Sequence, residues 1–181
     1  MSRPVRLVLV LAALVLTAAG CGREEHRTTA ETEGIYLDIG GLRYQVQLSR
    51  YMNVADVEDR DYFAGLSDSI AQPAADETWF GVWVRVQNTS DEPQRSATVW
   101  EIHDTQDNIY RPVPLDSPFA FRPGVVPPNS VVPLRDSAPG LGPVQGSLLL
   151  FKIRNESFQN RPLELVFGGS QGERGTYVLD V

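Results

Sequence analysis

Apolar and polar positions alternate along most of this chain. Leu42, Tyr44, Val46 and Leu48 take turns with Arg43, Gln45 and Gln47, the two-residue period of a strand with one face in a core. Tyr36–Ile39 precedes it across Gly40-Gly41 and reads as the other arm of a hairpin. Phe80, Val82, Val84 and Val86 then alternate with Gly81, Trp83, Arg85 and Gln87, and this strand stops at the polar turn cluster of residues 88–93. Residues 98–103 read as a further strand, 104–108 as a turn, and Ile109-Tyr110 as its return. Residues 147–153 are almost continuously apolar, the pattern of a central strand covered on both faces. Leu163, Leu165 and Phe167 alternate again, and the chain closes with Tyr177, Leu179 and Val181 on one side.

No stretch carries the period of a long helix. The best candidate, residues 56–70, is interrupted by Gly65 and predicts one or two turns. Short strands separated by Gly, Pro and Asn turns predict an all-β fold, an antiparallel immunoglobulin-like β-sandwich over residues 35–181. The Cys–Trp–Cys hallmark of antibody domains is absent, so the prediction rests on strand number and pattern. Nine of the 13 prolines fall between Pro112 and Pro143. Proline cannot donate to a ladder, so this region reads as edge strand and ordered loop. It is either a functional loop or a stiffened crossover between two sheets, anchored by Phe119 and Phe121.

The first 34 residues break the strand pattern. Arg3 and Arg6 precede an apolar run over residues 7–19, which ends in small residues before Cys21. This is the layout of a secretion signal, and the run is short for a membrane-spanning helix. Ala18-Ala19-Gly20-Cys21 resembles the lipobox of bacterial lipoproteins. The resemblance implies cleavage before Cys21, a lipid on that thiol, and residence at the extracytoplasmic face of the cell membrane. Residues 22–34 are polar and aperiodic and read as a flexible tether. The chain thus divides into a signal peptide (1–20), a lipidated Cys with tether (21–34), and one sandwich domain (35–181).

Charge then narrows the partners. Residues 1–20 hold two arginines and no acid, so the mature chain keeps 14 basic against 23 acidic side chains, a formal charge of −9. That balance argues against nucleic acid as a partner. Fifteen of the sixteen basic residues are Arg, a skew that fits GC-rich codon usage as in actinobacteria. With one cysteine no internal disulfide is open to the chain.

Candidate chemistry is sparse. Gly168-Gly169-Ser170-Gln171-Gly172 matches a nucleophile elbow in letters, but no histidine follows it, and a Gly-rich hairpin loop explains it better. His103 is the one histidine in the folded part and the residue a hydrolase would have to use; alternation places it with Val99 and Glu101, as a structural strand-end residue. Asp56, Glu58, Asp59 and Asp61 are oxygen ligands on a loop, weak candidates for a Ca²⁺-stabilised module because the EF-hand spacing is missing. Trp83 shares a face with Arg85 and Gln87, which predicts partial exposure. Trp83, Phe119 and Phe121, with the 56–61 loop, form the candidate contact surface. No catalytic residue and no cofactor is expected.

The segment from Trp79 to Asn88, the aspartate turn before Tyr110, and the strand from Gly146 to Phe151 resemble a bacterial immunoglobulin-like domain of unknown function. That family is common in surface lipoproteins of Gram-positive bacteria and actinobacteria. The resemblance covers roughly residues 44–181 and implies a sandwich with no agreed catalytic residues. The expectation is a membrane-anchored, non-catalytic binding or interaction module whose partner is an envelope protein or ligand.

Overall fold

A computed structural model describes residues 27–169 and 172–181. Cys21 and the apolar N-terminal run therefore lie outside the described residues. Among the described residues are twelve strands, ten of them in two principal sheets and two, β5 and β8, paired with each other. In chain order they are β1 (Thr29–Ala30), β2 (Tyr36–Ile39), β3 (Leu42–Met52), β4 (Glu77–Asn88), β5 (Gln94–Arg95), β6 (Val99–His103), β7 (Ile109–Tyr110), β8 (Val125–Val126), β9 (Ser130–Val132), β10 (Ser147–Arg154), β11 (Glu164–Gly168) and β12 (Arg174–Val178). The first sheet runs β1-β12-β11-β6-β7 and the second β10-β4-β3-β2, with β9 continuing beside the end of β4. All pairings are antiparallel except β1 with β12. The fold is a β-sandwich, as the alternation predicts.

The inward positions of both sheets make the main core. Tyr44, Val46, Phe80, Val82, Val84, Phe151 and Ile153 face Trp100, Ile102, Leu165, Phe167 and Tyr177. Phe167 is its centre, 4.7 Å from the stacked Trp100 ring and 4.6 Å from Tyr44. Gly175 opposite leaves the space for that ring, because a Cβ there would stand 2.3 Å from it.

Three expectations need correction. The domain begins before residue 35. Thr29 and Ala30 pair with Thr176 and Tyr177, Ala30 is buried, and Glu33 accepts from the Ser49 N–H at 3.0 Å, so the polar stretch ahead of Ile35 belongs to the sandwich from Thr29 onward. Polarity hid this because a two-residue edge strand needs only one inward side chain.

The second correction concerns β10, which is an edge strand and not a central one. It is apolar on both faces because both are covered. Its free edge is also covered, by the Pro-rich segment. The Val113 N–H donates to Leu150 O at 2.8 Å, Leu148 N–H to Phe119 O at 2.7 Å, and Phe121 N–H to Leu148 O at 2.8 Å. The segment thus crosses from β7 in one sheet to β9 and β10 in the other and blunts an exposed edge on the way.

The third correction is Trp83, which has no exposed surface. It lies on the outer face of β4, as its register requires, but that face carries a second apolar layer. Trp79, Trp83, Met52, Leu148 and Leu150 are roofed by Tyr62 and Phe63, from the 3₁₀ turn Arg60–Phe63, and by Leu66, Leu115 and Phe119. The short turn is what residues 56–70 predict. Gly81 makes room for the Trp83 ring: a Cβ there would lie 2.9 Å from it and 2.5 Å from Met52 Sδ.

Candidate functional site

The sandwich stays open between β6 of one sheet and β10 of the other, and the Pro-rich segment frames that opening as a cleft of about 660 Å³. A volume of this size suits a small ligand or a short peptide segment. Val99, Trp100, Val113, Leu115, Leu148 and Leu150 are among the residues that line it. The indole of Trp100 is held by Phe121, edge-on at 5.3 Å, and its Nε1 donates to Ala97 O at 3.3 Å. Val99 is 56% exposed at the mouth. Prolines 112, 114 and 123 stiffen the rim.

Two cations stand among the lining residues, and both are neutralised. Arg111 Nη2 donates to Glu101 at 2.6 Å, and Arg122 Nη2 to Asp116 at 2.6 Å. His103 Nε2 lies 3.1 Å from the other Glu101 oxygen. The hydrogen bond to His103, ahead of the contribution of Arg111, holds the Glu101 carboxyl below its ordinary value against desolvation. The lining is therefore apolar with ion pairs fixed at its border.

The predicted site residues do not converge. Phe121 is buried but lines the cleft, whereas Trp83 is sealed in the outer layer and the half-buried Phe119 packs there against Tyr62 at 4.9 Å. Of the three, Phe121 alone reaches the opening, from beneath its surface, so the aromatic contact patch read from alternation does not form. His103 sits beside Val99 and Glu101 as expected, and Glu101 is its recorded hydrogen-bond partner.

The acidic loop serves the fold. Asp59 is buried, pairs with Arg50, and accepts from the Asn53 N–H at 2.8 Å. Asp56 accepts from the Glu58 N–H at 3.0 Å and is exposed with Glu58 and Asp61. Among the described residues no three His, Cys, Asp or Glu side chains gather as metal ligands. The Gly-rich segment joins β11 to β12, with Gly169 N–H donating to Glu173 O at 2.7 Å; Ser170 and Gln171 lie outside the described residues.

What alignment of strands could not supply was the cleft itself. Thr98, Val99 and Leu115 carry no chemical signature, and only the density of prolines pointed to their neighbourhood.

No family model matches the chain, and no curated protein matches it in sequence. Solved structures do. The yjhA protein of Bacillus subtilis aligns with a TM-score of 0.51 at 11% identity, over 83% of this chain and 99% of that one. The ycdA protein of Bacillus subtilis, a presumed lipoprotein, aligns with a TM-score of 0.50 at 13% identity, over 82% of this chain and 38% of that one. A β-sandwich protein of Clostridium difficile aligns at 0.41 and 8% identity, over 86% and 98%. At these identities the likeness is one of fold, shared with yjhA over nearly all of that protein and with ycdA over 38% of it.

Proposed function

We propose that this chain is a lipid-anchored, extracytoplasmic binding module that performs no chemistry and takes its ligand in the cleft between β6 and the Pro-rich segment. The observation that carries the reading is the cleft: it is apolar, rigidly framed, and bordered by arginines already tied to carboxylates. Such a lining binds shape and apolar surface. The Ala-Ala-Gly-Cys ending supports the anchor, and ycdA, which shares the fold, is itself a presumed lipoprotein.

On this reading the tether is short. Cys21 and Thr29 are eight residues apart, at most about 28 Å of extended chain. β1 enters at one edge of the first sheet, and β6 lies three strand spacings away, about 14 Å across.

Two experiments test the proposal. A Cys21→Ser variant leaves the membrane fraction or stays unprocessed; unchanged processing and retention refute the anchor. For the cleft, an aromatic sulfonate dye reports apolar sites by its fluorescence. Val99→Glu places a carboxylate at the mouth without disturbing the core and abolishes most of the enhancement. Undiminished dye binding in a folded Val99→Glu protein refutes the cleft as the site.

A further inference from the structure

A second pocket differs from the cleft in its electrostatics. It measures about 340 Å³ and is lined by Arg85, Pro133, Arg135, Gly140, Leu141 and Gln145. Two arginines line it and no carboxylate does. Among the described residues neither Arg85 nor Arg135 makes an ion pair, whereas the cleft arginines 111 and 122 both do. Asp136 follows Arg135 in the chain but does not line the pocket.

Arg85 has unused donors. Its Nε is buried without a hydrogen-bond partner, and its Nη1 makes one long contact, 3.4 Å, to the Gln145 side-chain oxygen. Its cross-strand neighbour on β3 is the neutral Gln45. A buried donor without an acceptor is costly, and a cation without a counter-charge adds to that cost.

Arg135 comes from a rigid loop. The one-turn helix α1 (Ala138–Leu141) folds back on it: Ser137 Oγ donates to Leu134 O at 2.6 Å and accepts from the Gly140 N–H at 3.3 Å. Gly140 packs so closely that a Cβ there would meet Leu134 O at 2.0 Å.

We infer that Arg85 and Arg135 form a binding pocket for a phosphate group, with Gln145 as a neutral neighbour and Leu141 as an apolar wall. Charge selects phosphate over carboxylate. Two uncompensated guanidiniums match a group carrying −1.5 to −2 charges at pH 7, whereas a carboxylate carries one. On a domain with net negative charge these two arginines are also a local positive field that steers an anion to the pocket.

The test is titration of the mature protein with inorganic phosphate at constant ionic strength, followed by amide and arginine Nε–H NMR shifts. Saturable shifts confined to Arg85, Arg135, Gly140 and Gln145 are expected. The affinity falls as pH drops through about 7, where inorganic phosphate takes up a proton and loses its second charge. Arg135→Gln changes an exposed side chain, leaves the fold intact, and weakens binding about tenfold or more. Arg174→Gln, on the exposed end of β12, leaves it unchanged. Three outcomes overturn the inference: shifts that do not saturate, shifts spread evenly over the arginines, or acetate binding as tightly as phosphate at the same ionic strength.

Discussion

On one face of β4, Phe80, Val82, Val84 and Val86 meet the inward side chains of the opposite sheet; on the other, Trp79 and Trp83 meet two loops. Both sets of side chains are buried, but they are held differently. The inner face is closed by strands, each fixed by a ladder of hydrogen bonds and each contributing several apolar side chains. The outer face depends on a few fasteners. Arg50 pairs with Asp59 and lies over the Trp83 ring at 5.1 Å, and Tyr62 stands edge-on to that ring at 5.2 Å. Leu66 bridges Leu115, and the Asp116 N–H donates to Gly65 O at 3.1 Å. The outer layer also supplies Val113, Leu115, Leu148 and Leu150 to the cleft. The loop-built layer therefore helps to shape the proposed ligand site, as is common where loops sit on a rigid scaffold.

The comparison breaks if the outer layer is only trim. Trp83→Ala removes a fully buried indole and is expected to cost roughly 3–5 kcal/mol, the same range as Phe167→Ala at the centre of the inner core. Denaturant midpoints of the two variants measure this. A Trp83→Ala loss under about 1 kcal/mol would mean that the loops collapse onto the vacated space and that the layer has no packing of its own.

A smaller and more local effect separates the layers. Gly65 has φ +82°, and a Cβ on it would stand 2.1 Å from Asp116 O. Gly65→Ala must push the two loops apart, at a cost of about 1–3 kcal/mol. Hydrogen exchange is expected to quicken at Leu66 and Asp116 and to stay slow at Ile102 and Leu165. Equal acceleration in both sets would make the sandwich one cooperative unit, and the distinction between its layers would be lost.

How legible these layers are in the sequence follows from how each is built. The inner core follows the two-residue period, so Tyr44, Phe80 and Phe167 can be placed from sequence alone. Trp83 obeys the same period, and its face is assigned correctly; its exposure is not, because its cover comes from Tyr62 and Phe119, far away in sequence and in aperiodic loops. β1 and β9 escape notice because two or three residues hold no period. The run at residues 147–153 signals burial on two faces without saying whether strands or loops provide it. The cleft follows from the crossover path, which depends on which strand edges remain unpaired, and composition holds only a trace of that in its prolines. Cys21 stands apart, since its signal is a local motif and needs no fold.

Alkaline pH probes the inner core with the gentlest perturbation. Tyr44 is raised to about 12, chiefly by burial, against the Ala97 N–H that donates to its oxygen at 2.8 Å. Burial raises Tyr177 as well, and its hydroxyl donates to Ile35 O at 2.9 Å and Tyr44 O at 2.6 Å. In the unfolded chain both phenols titrate near 10. Below that value each is protonated in either state, and its contribution to stability is complete. Above it the unfolded chain releases protons that the folded chain keeps, so stability falls as pH rises from about 10 through about 12. Tyr62 in the outer layer is also raised by burial, but Arg50 opposes the shift. Tyr44→Phe is therefore expected to flatten the alkaline loss of the denaturant midpoint more than Tyr62→Phe does, with no pH dependence from these groups near pH 7. A steeper dependence on Tyr62 than on Tyr44 would reverse the order of the layers, making the loop-built face the drier of the two.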